Sequence, residues 1–129
     1  MTLDKRFQNL FLEVVNKAAI SSFNFIGKND KIAADKAAVD SMRQTLNKIE
    51  MNGQIVIGEG ELDEAPMLYI GEKVGSMKGP ELDIAVDPLE GTNFVAKNLP
   101  GALSVISIAN KNNLLNAPET YMNKISVNT

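Results

Sequence analysis

The chain has no cysteine and no histidine among its 129 residues. Without them it can build no disulfide, no Cys/His zinc site, no Ser-His-Asp triad and no Cys-His nucleophile pair. Any catalysis must therefore rest on carboxylates, hydroxyls, lysines and a hard metal ion. No apolar run approaches the ~20 residues that cross a bilayer. The start, Met1-Thr-Leu-Asp-Lys-Arg-Phe7, lacks the apolar core of a secretory leader. The expectation is a cytoplasmic protein with no membrane partner. An excess of positive charge is missing too: 13 Lys and Arg stand against 16 Asp and Glu, a net charge of −3. That balance argues against a nucleic-acid partner held by phosphate neutralisation. There is no internal repeat, low-complexity tract or linker, and the length allows one domain with a real core.

What is present is ordinary in bulk, with 44% apolar and 22% charged residues, and informative in order. Lys5 to Ile26 reads as an amphipathic helix, with Phe7, Leu10, Phe11, Val14, Val15, Ala18 and Ala19 on its inner face. Gly27 is its expected C-cap. A second helix is expected from about Lys31 to Met51, capped by Asp30, with Ala38, Met42, Leu46 and Ile49 as its buried stripe. Three residues before Ala38, on that inward face, stands Asp35. It serves either as a favourable charge near the positive helix end or as a metal ligand aimed at an interior site.

Asn52-Gly53 reads as a turn. Ile55-Val-Ile57 then reads as a strand covered on both faces, followed by Gly58-Glu-Gly-Glu-Leu-Asp-Glu-Ala-Pro66. Four acids lie within six residues of that loop. A solvated loop explains the charge, but the glycines point to close backbone approach. Met67 to Val74 is ambiguous, one helical turn and then an extended piece. Ala102 to Ala109 is a clear strand, Asn110 to Asn113 a turn, and Ile125 to Val127 the start of a further strand.

The centre of the sequence is Leu82-Asp-Ile-Ala-Val-Asp-Pro-Leu-Glu-Gly-Thr92. Leu82, Ile84 and Val86 alternate with Asp83, Ala85 and Asp87, the period of a half-buried strand. Pro88 is expected to end it, having no N–H for a ladder. Asp87 and Glu90 then sit on the turn, Gly91 lets a bound group approach the backbone, and Thr92 offers a hydroxyl. The same residues also make a plain acidic turn on conformational grounds. Yet hard cations want oxygen ligands, and phosphate wants a metal plus backbone donors. The element order of two helices and then strands suggests an α/β arrangement, the helices layered on a β-sheet of undetermined pairing direction. If the strand ends are neighbours, Asp35, Glu59, Asp87 and Glu90 converge, and packed carboxylates call for divalent ions or a raised pKa.

Asp87-Pro-Leu-Glu-Gly-Thr92 resembles the Asp-Pro-x-Asp-Gly-Thr signature of the lithium-sensitive, metal-dependent sugar and inositol phosphatases, with Glu90 replacing the second Asp. That variant is similar to class II (GlpX-type) fructose-1,6-bisphosphatases of bacteria. Gly27-Lys-Asn-Asp-Lys-Ile-Ala-Ala-Asp35, Ile57 to Gly75, Asp83 to Thr92 and Leu115-Asn-Ala-Pro-Glu-Thr-Tyr-Met122 all resemble blocks of that family.

The resemblance implies a partial sugar-phosphatase fold over residues 1–129, the family's N-terminal portion, because family members continue well beyond Thr129. It implies Asp35, Glu59, Asp87 and Glu90 as metal ligands, with the Leu89 carbonyl an additional one, and Mg2+ or Mn2+ as the metal. Thr92 would assist the attacking water or hold the phosphate, with Gly91 beside it. Lys31, Glu61 and Asp63 would line the site, and Tyr121 would contact the sugar phosphate. The implied reaction is hydrolysis of the 1-phosphate of fructose 1,6-bisphosphate in gluconeogenesis, without a phosphoenzyme. Other readings are an inositol- or nucleotide-type phosphatase of the same superfamily, or a catalytically silent metal-binding or oligomerising fragment. A sheet lacking its later part would expose an edge and an apolar face. The expectation is thus a homo-oligomer, at least a dimer, with activity far below that of a full-length relative.

Overall fold

A computed structural model describes residues 5–59, 67–117 and 123–127. Helix α1 (Lys5–Phe23) and helix α2 (Lys31–Leu46) precede strands β1 (Asn52–Ile57), β2 (Lys73–Val74) and β3 (Glu81–Glu90). Helix α3 (Thr92–Ala96) and strand β4 (Leu103–Asn110) follow. The four strands form one sheet in the order β2-β1-β3-β4. Among the described residues, β1 and β3 run parallel, whereas β2 with β1 and β4 with β3 are antiparallel. The fold is α/β, with α1 and α2 packed together and laid on the sheet.

Sequence periodicity explains the helices. Asp30 caps α2 as expected, its carboxylate accepting from the Ala33 N–H at 2.9 Å, which satisfies one of the orphan donors of the first turn. The stripe Ala38, Met42, Leu46 and Ile49 is buried, at 0–3% exposure. On α1 the buried residues are Phe7, Phe11, Val14, Ala18 and Ser22, whereas Ala19 is exposed. Met42, Ile55, Leu68, Val74 and Ile84 are fully enclosed where the helices meet the sheet. Burial of each such side chain contributes about 1.5–3 kcal/mol.

Several expectations need correction. Both helices end early: α1 at Phe23, before a turn through Ile26, and α2 at Leu46, followed by tight turns to Met51 that keep Ile49 buried without helix. Gly27 (φ 72°) does not cap α1 but donates to the Val95 carbonyl, as Asn29 does to that of Ala96, so the α1–α2 connection is tied to α3. Asn52-Gly53 is not a turn. It opens β1, where a Cβ on Gly53 would lie 2.8 Å from Ile84 Cδ1 and 3.0 Å from the Val74 carbonyl oxygen. Tertiary packing there selects glycine for its missing side chain. Strand β1 is fully covered on one face only, Gly53 and Ile55 being buried while Gln54 and Val56 are partly open.

Pro88, finally, does not end its strand. Asp87 faces Val105 and Glu90 faces Leu103, so β3 carries one extra residue there and continues to Glu90. Proline is tolerated at such a bulge because the ladder is already interrupted. Residues 125–127 have no regular structure and are exposed.

Candidate metal centre

The parallel pairing of β1 with β3 decides where the acids lie. Ile57, the last residue of β1, faces Ala85, so Glu59 just past β1 and Asp87 within β3, each two residues on, come at the same end of the sheet. In α/β sheets the carboxyl ends of parallel strands are where ligands bind. Gly58 makes this exit possible. A Cβ there would stand 2.2 Å from the Leu68 carbonyl oxygen, the same oxygen that accepts from the Glu59 N–H at 2.9 Å.

Asp87 and Glu90 form a hydrogen-bonded acidic pair across the bulge. Burial, followed by this bond and the Glu90 charge, pushes the Asp87 carboxyl up to about 7, with a smaller contribution from Asp35. Asp35 lies one turn into α2, half-buried, and burial raises its pKa as well. Oδ1 of Asp35 and Oδ1 of Asp87 are both shut off from water and meet no hydrogen-bond donor. Glu59 Oε2 is likewise removed from solvent. Among the described residues, no three acidic side chains already form a cage for an ion; the fold assembles an Asp87–Glu90 pair with Asp35 in electrostatic reach.

Two orphaned carboxylate oxygens with raised pKa values have two physical remedies, a proton or a cation. The donor set is all carboxylate, so the cation that fits it is a hard divalent one.

Gly91 (φ 84°) takes the left-handed conformation that starts α3, and its carbonyl accepts from the Phe94 N–H at 2.8 Å. The expected close approach thus has a backbone cause: a Cβ would crowd the Phe94 ring at 2.9 Å. Thr92 follows, half-buried in the first helical turn, while Glu90 is exposed and Leu89 is buried. Lys31 is exposed at the start of α2. Glu61, Asp63 and Tyr121 lie outside the described residues.

Sequence reasoning missed two supports. Arg43 Nε donates to Glu72 Oε1 at 2.7 Å, and its Nη2 reaches Glu72 Oε2 at 3.1 Å and the Met67 carbonyl. This pair, 24% and 11% exposed, clamps the segment from Met67 to Glu72 onto α2. Only the i+29 separation in sequence hides it. Asp83, on the sheet face away from the helices, is 5% exposed. Its Oδ2 accepts from the N–H groups of Asn113 and Leu114 at 3.1 and 3.4 Å, which pins the turn after β4. Beside it a cleft of about 570 Å³ is lined by Gln54, Val56, Asp83, Lys111 and Asn116 among others, and none of the candidate ligands is among its lining residues.

The family described as bacterial fructose-1,6-bisphosphatase, glpX-encoded, matches residues 6–129. The D-fructose 1,6-bisphosphatase class 2/sedoheptulose 1,7-bisphosphatase of Prochlorococcus marinus strain MIT 9303 is 52% identical over 124 residues, covering 96% of this chain and 37% of that protein. Its counterpart from strain AS9601 is 56% identical over 115 residues, 89% of this chain and 34% of that one. The chain therefore spans little more than a third of these curated relatives. Among solved structures, an extragenic suppressor from Pyrococcus furiosus superposes with a TM-score of 0.55 at 15% identity, over 83% of this chain and 41% of the other. That likeness is one of fold.

Proposed function

The chain belongs to the bacterial, glpX-encoded fructose-1,6-bisphosphatase family, and on that premise we propose that it carries the cation- and phosphate-holding part of a sugar-bisphosphate phosphatase. The reaction is removal of the 1-phosphate of fructose 1,6-bisphosphate, supported by Mg2+ or Mn2+. The observation that carries this reading is the orphaned, buried Oδ1 of Asp87 at the mouth of the parallel strand pair, beside Glu90 and within reach of Asp35.

Asp35, Glu59, Asp87 and Glu90 would hold the metal, with the Leu89 carbonyl completing the set. When bound, a divalent cation supplies charge stabilisation on the phosphoryl oxygens and lowers the pKa of water. The chain's own residues do the rest. The Asp87 carboxyl would lose its proton where a cation is held, and Glu90 beside it would add a second negative charge. Thr92, in the first turn of α3, offers its hydroxyl to the phosphate or to the attacking water. The left-handed Gly91 leaves the backbone at that turn open to a phosphate oxygen, which N–H groups then stabilise as charge develops. By the family resemblance, Lys31, Glu61 and Asp63 would serve the same site, and Tyr121 the sugar.

A second reading is a cation-binding chain without turnover. Phosphate release from fructose 1,6-bisphosphate with Mn2+, measured beside calorimetric Mn2+ binding, separates the two. Turnover that disappears on chelation supports the phosphatase. Binding without release supports the second reading, and absence of both overturns the metal assignment.

A further inference from the structure

Parallel pairing brings Glu59 and Asp87 to one end of the sheet, whereas Asp35 stands on a helix, outside the ladder. The apolar contacts between α2 and the sheet are non-directional, so they hold a distance rather than an angle. A polar link from α2 to the exit of β1 starts at Arg43. Asp35, Val39 and Arg43 follow one another at spacings of four, so they share one ridge of α2. Arg43 lies about 12 Å along the axis from Asp35, and Val39 between them is fully buried.

Arg43 Nε and Nη2 donate to the Glu72 carboxylate at 2.7 and 3.1 Å, and Nη2 also donates to the Met67 carbonyl. The next carbonyl along the chain, that of Leu68, accepts from the Glu59 N–H at 2.9 Å. Glu72 is tied to the same strand through its backbone. Its carbonyl accepts from the Ile55 N–H at 2.9 Å, while the Gly71 N–H donates to the Ile55 carbonyl at 2.8 Å. Two successive carbonyls of one segment therefore hold Arg43 on one side and Glu59 on the other.

We propose that Arg43 is a positioning residue for the candidate cation site, setting the Glu59 carboxylate against Asp35 through the Met67–Leu68 peptide. This role rests on the reading of Asp35 and Glu59 as cation ligands. The chemistry of the link favours orientation over stability. A largely enclosed ion pair gains little over apolar residues of the same volume, because desolvation offsets its attraction. A planar guanidinium grips a carboxylate and a carbonyl at fixed angles, which the point charge of a lysine does not. Glu72 balances the Arg43 charge, so the link adds no net repulsion against a cation. The core beside it is closed by Met42, Leu46 and Leu68, all fully buried.

Arg43→Lys keeps the charge and the stem but loses the fork. Gly53→Ala, which disturbs the opposite end of β1, is its control. In the metal-free chain, hydrogen exchange followed by NMR should show the Glu59 amide opening at least about tenfold faster in Arg43→Lys, relative to the amides of the β3–β4 ladder. Gly53→Ala should leave that ratio unchanged. Calorimetric Mn2+ affinity should fall about tenfold in Arg43→Lys, as it does when a residue that orients metal ligands is changed. It should stay unchanged in Gly53→Ala, even where the two variants melt at similarly lowered temperatures. An unaltered exchange ratio in Arg43→Lys overturns the proposal. So does an unaltered Mn2+ affinity in that variant when the wild type binds the ion, a result that leaves the cation reading standing. Parallel losses in both variants also overturn it, assigning Arg43 to stability alone. A wild type that binds no Mn2+ overturns the cation reading itself, and the positioning role with it.

Discussion

Ile57 and Ala85 face each other in the parallel β1–β3 ladder, and that single register brings Glu59 and Asp87 out at the same end of the sheet. A shift of one residue would turn one of the two acids to the other face. The candidate centre therefore depends on strand pairing as much as on the acids themselves.

The raised pKa of Asp87 makes metal-free stability depend on pH. Below about 4 both folded and unfolded chains are protonated at this site. Between the ordinary value of 3.8 and about 7, the unfolded chain has lost its proton while the folded one retains it. The folded state then binds more protons, so stability falls as pH rises through that window and levels off above it. Urea titrations in chelator at pH 5, 6 and 8 should show a decreasing unfolding free energy. A rising one would contradict the assignment.

Cation binding should have the opposite slope. Metal and proton compete for Asp87, so apparent Mn2+ affinity should rise by up to about tenfold per pH unit below 7 and flatten above it. Calorimetry at pH 5.5, 6.5 and 8 measures this, with proton release obtained from buffers of different ionisation enthalpy.

Asp87→Asn keeps the shape and removes the charge. Mn2+ affinity should fall at least about tenfold, as loss of one charged ligand implies. Without metal, the variant should melt a few degrees higher at pH 8, because the repulsion from Glu90 and Asp35 is gone. Loss of the fold instead would show that Asp87 is structural.

Arg43→Ala should cost about 2 kcal/mol, since it strands a half-buried Glu72 carboxylate and the Met67 carbonyl. A double-mutant cycle with Glu72→Ala should return a coupling of about 1–2 kcal/mol.

Gly53→Ala tests the strand reading of Asn52-Gly53. With a Cβ set 2.8 Å from Ile84 and 3.0 Å from the Val74 carbonyl, it should destabilise the chain by about 1–3 kcal/mol. Thermal unfolding followed by circular dichroism reads this directly. An unaffected melting temperature would restore the turn.

The sequence by itself determined the two long helices, the alternating strand and the residue types available as ligands. Stripes at helical spacing bury Met42 and Leu46 whatever lies opposite, Asp30 caps α2 through a bond made within one turn, and a chain without Cys or His leaves carboxylates as its candidate ligands. Asp35 could be found by counting back along its own helix. All of these are local relations, and local spacing carries them. Tertiary structure alone decided what depends on distant partners. Gly53 became a strand residue because Ile84 and Val74 fill the space of its side chain. Pro88 stayed within β3 because β4 accommodates a bulge there. Arg43 found Glu72 across 29 residues, and the parallel direction of β1 against β3 set the two acidic exits side by side. Backbone pairing and close packing are not written in the period of any one segment, since each is a property of two surfaces meeting.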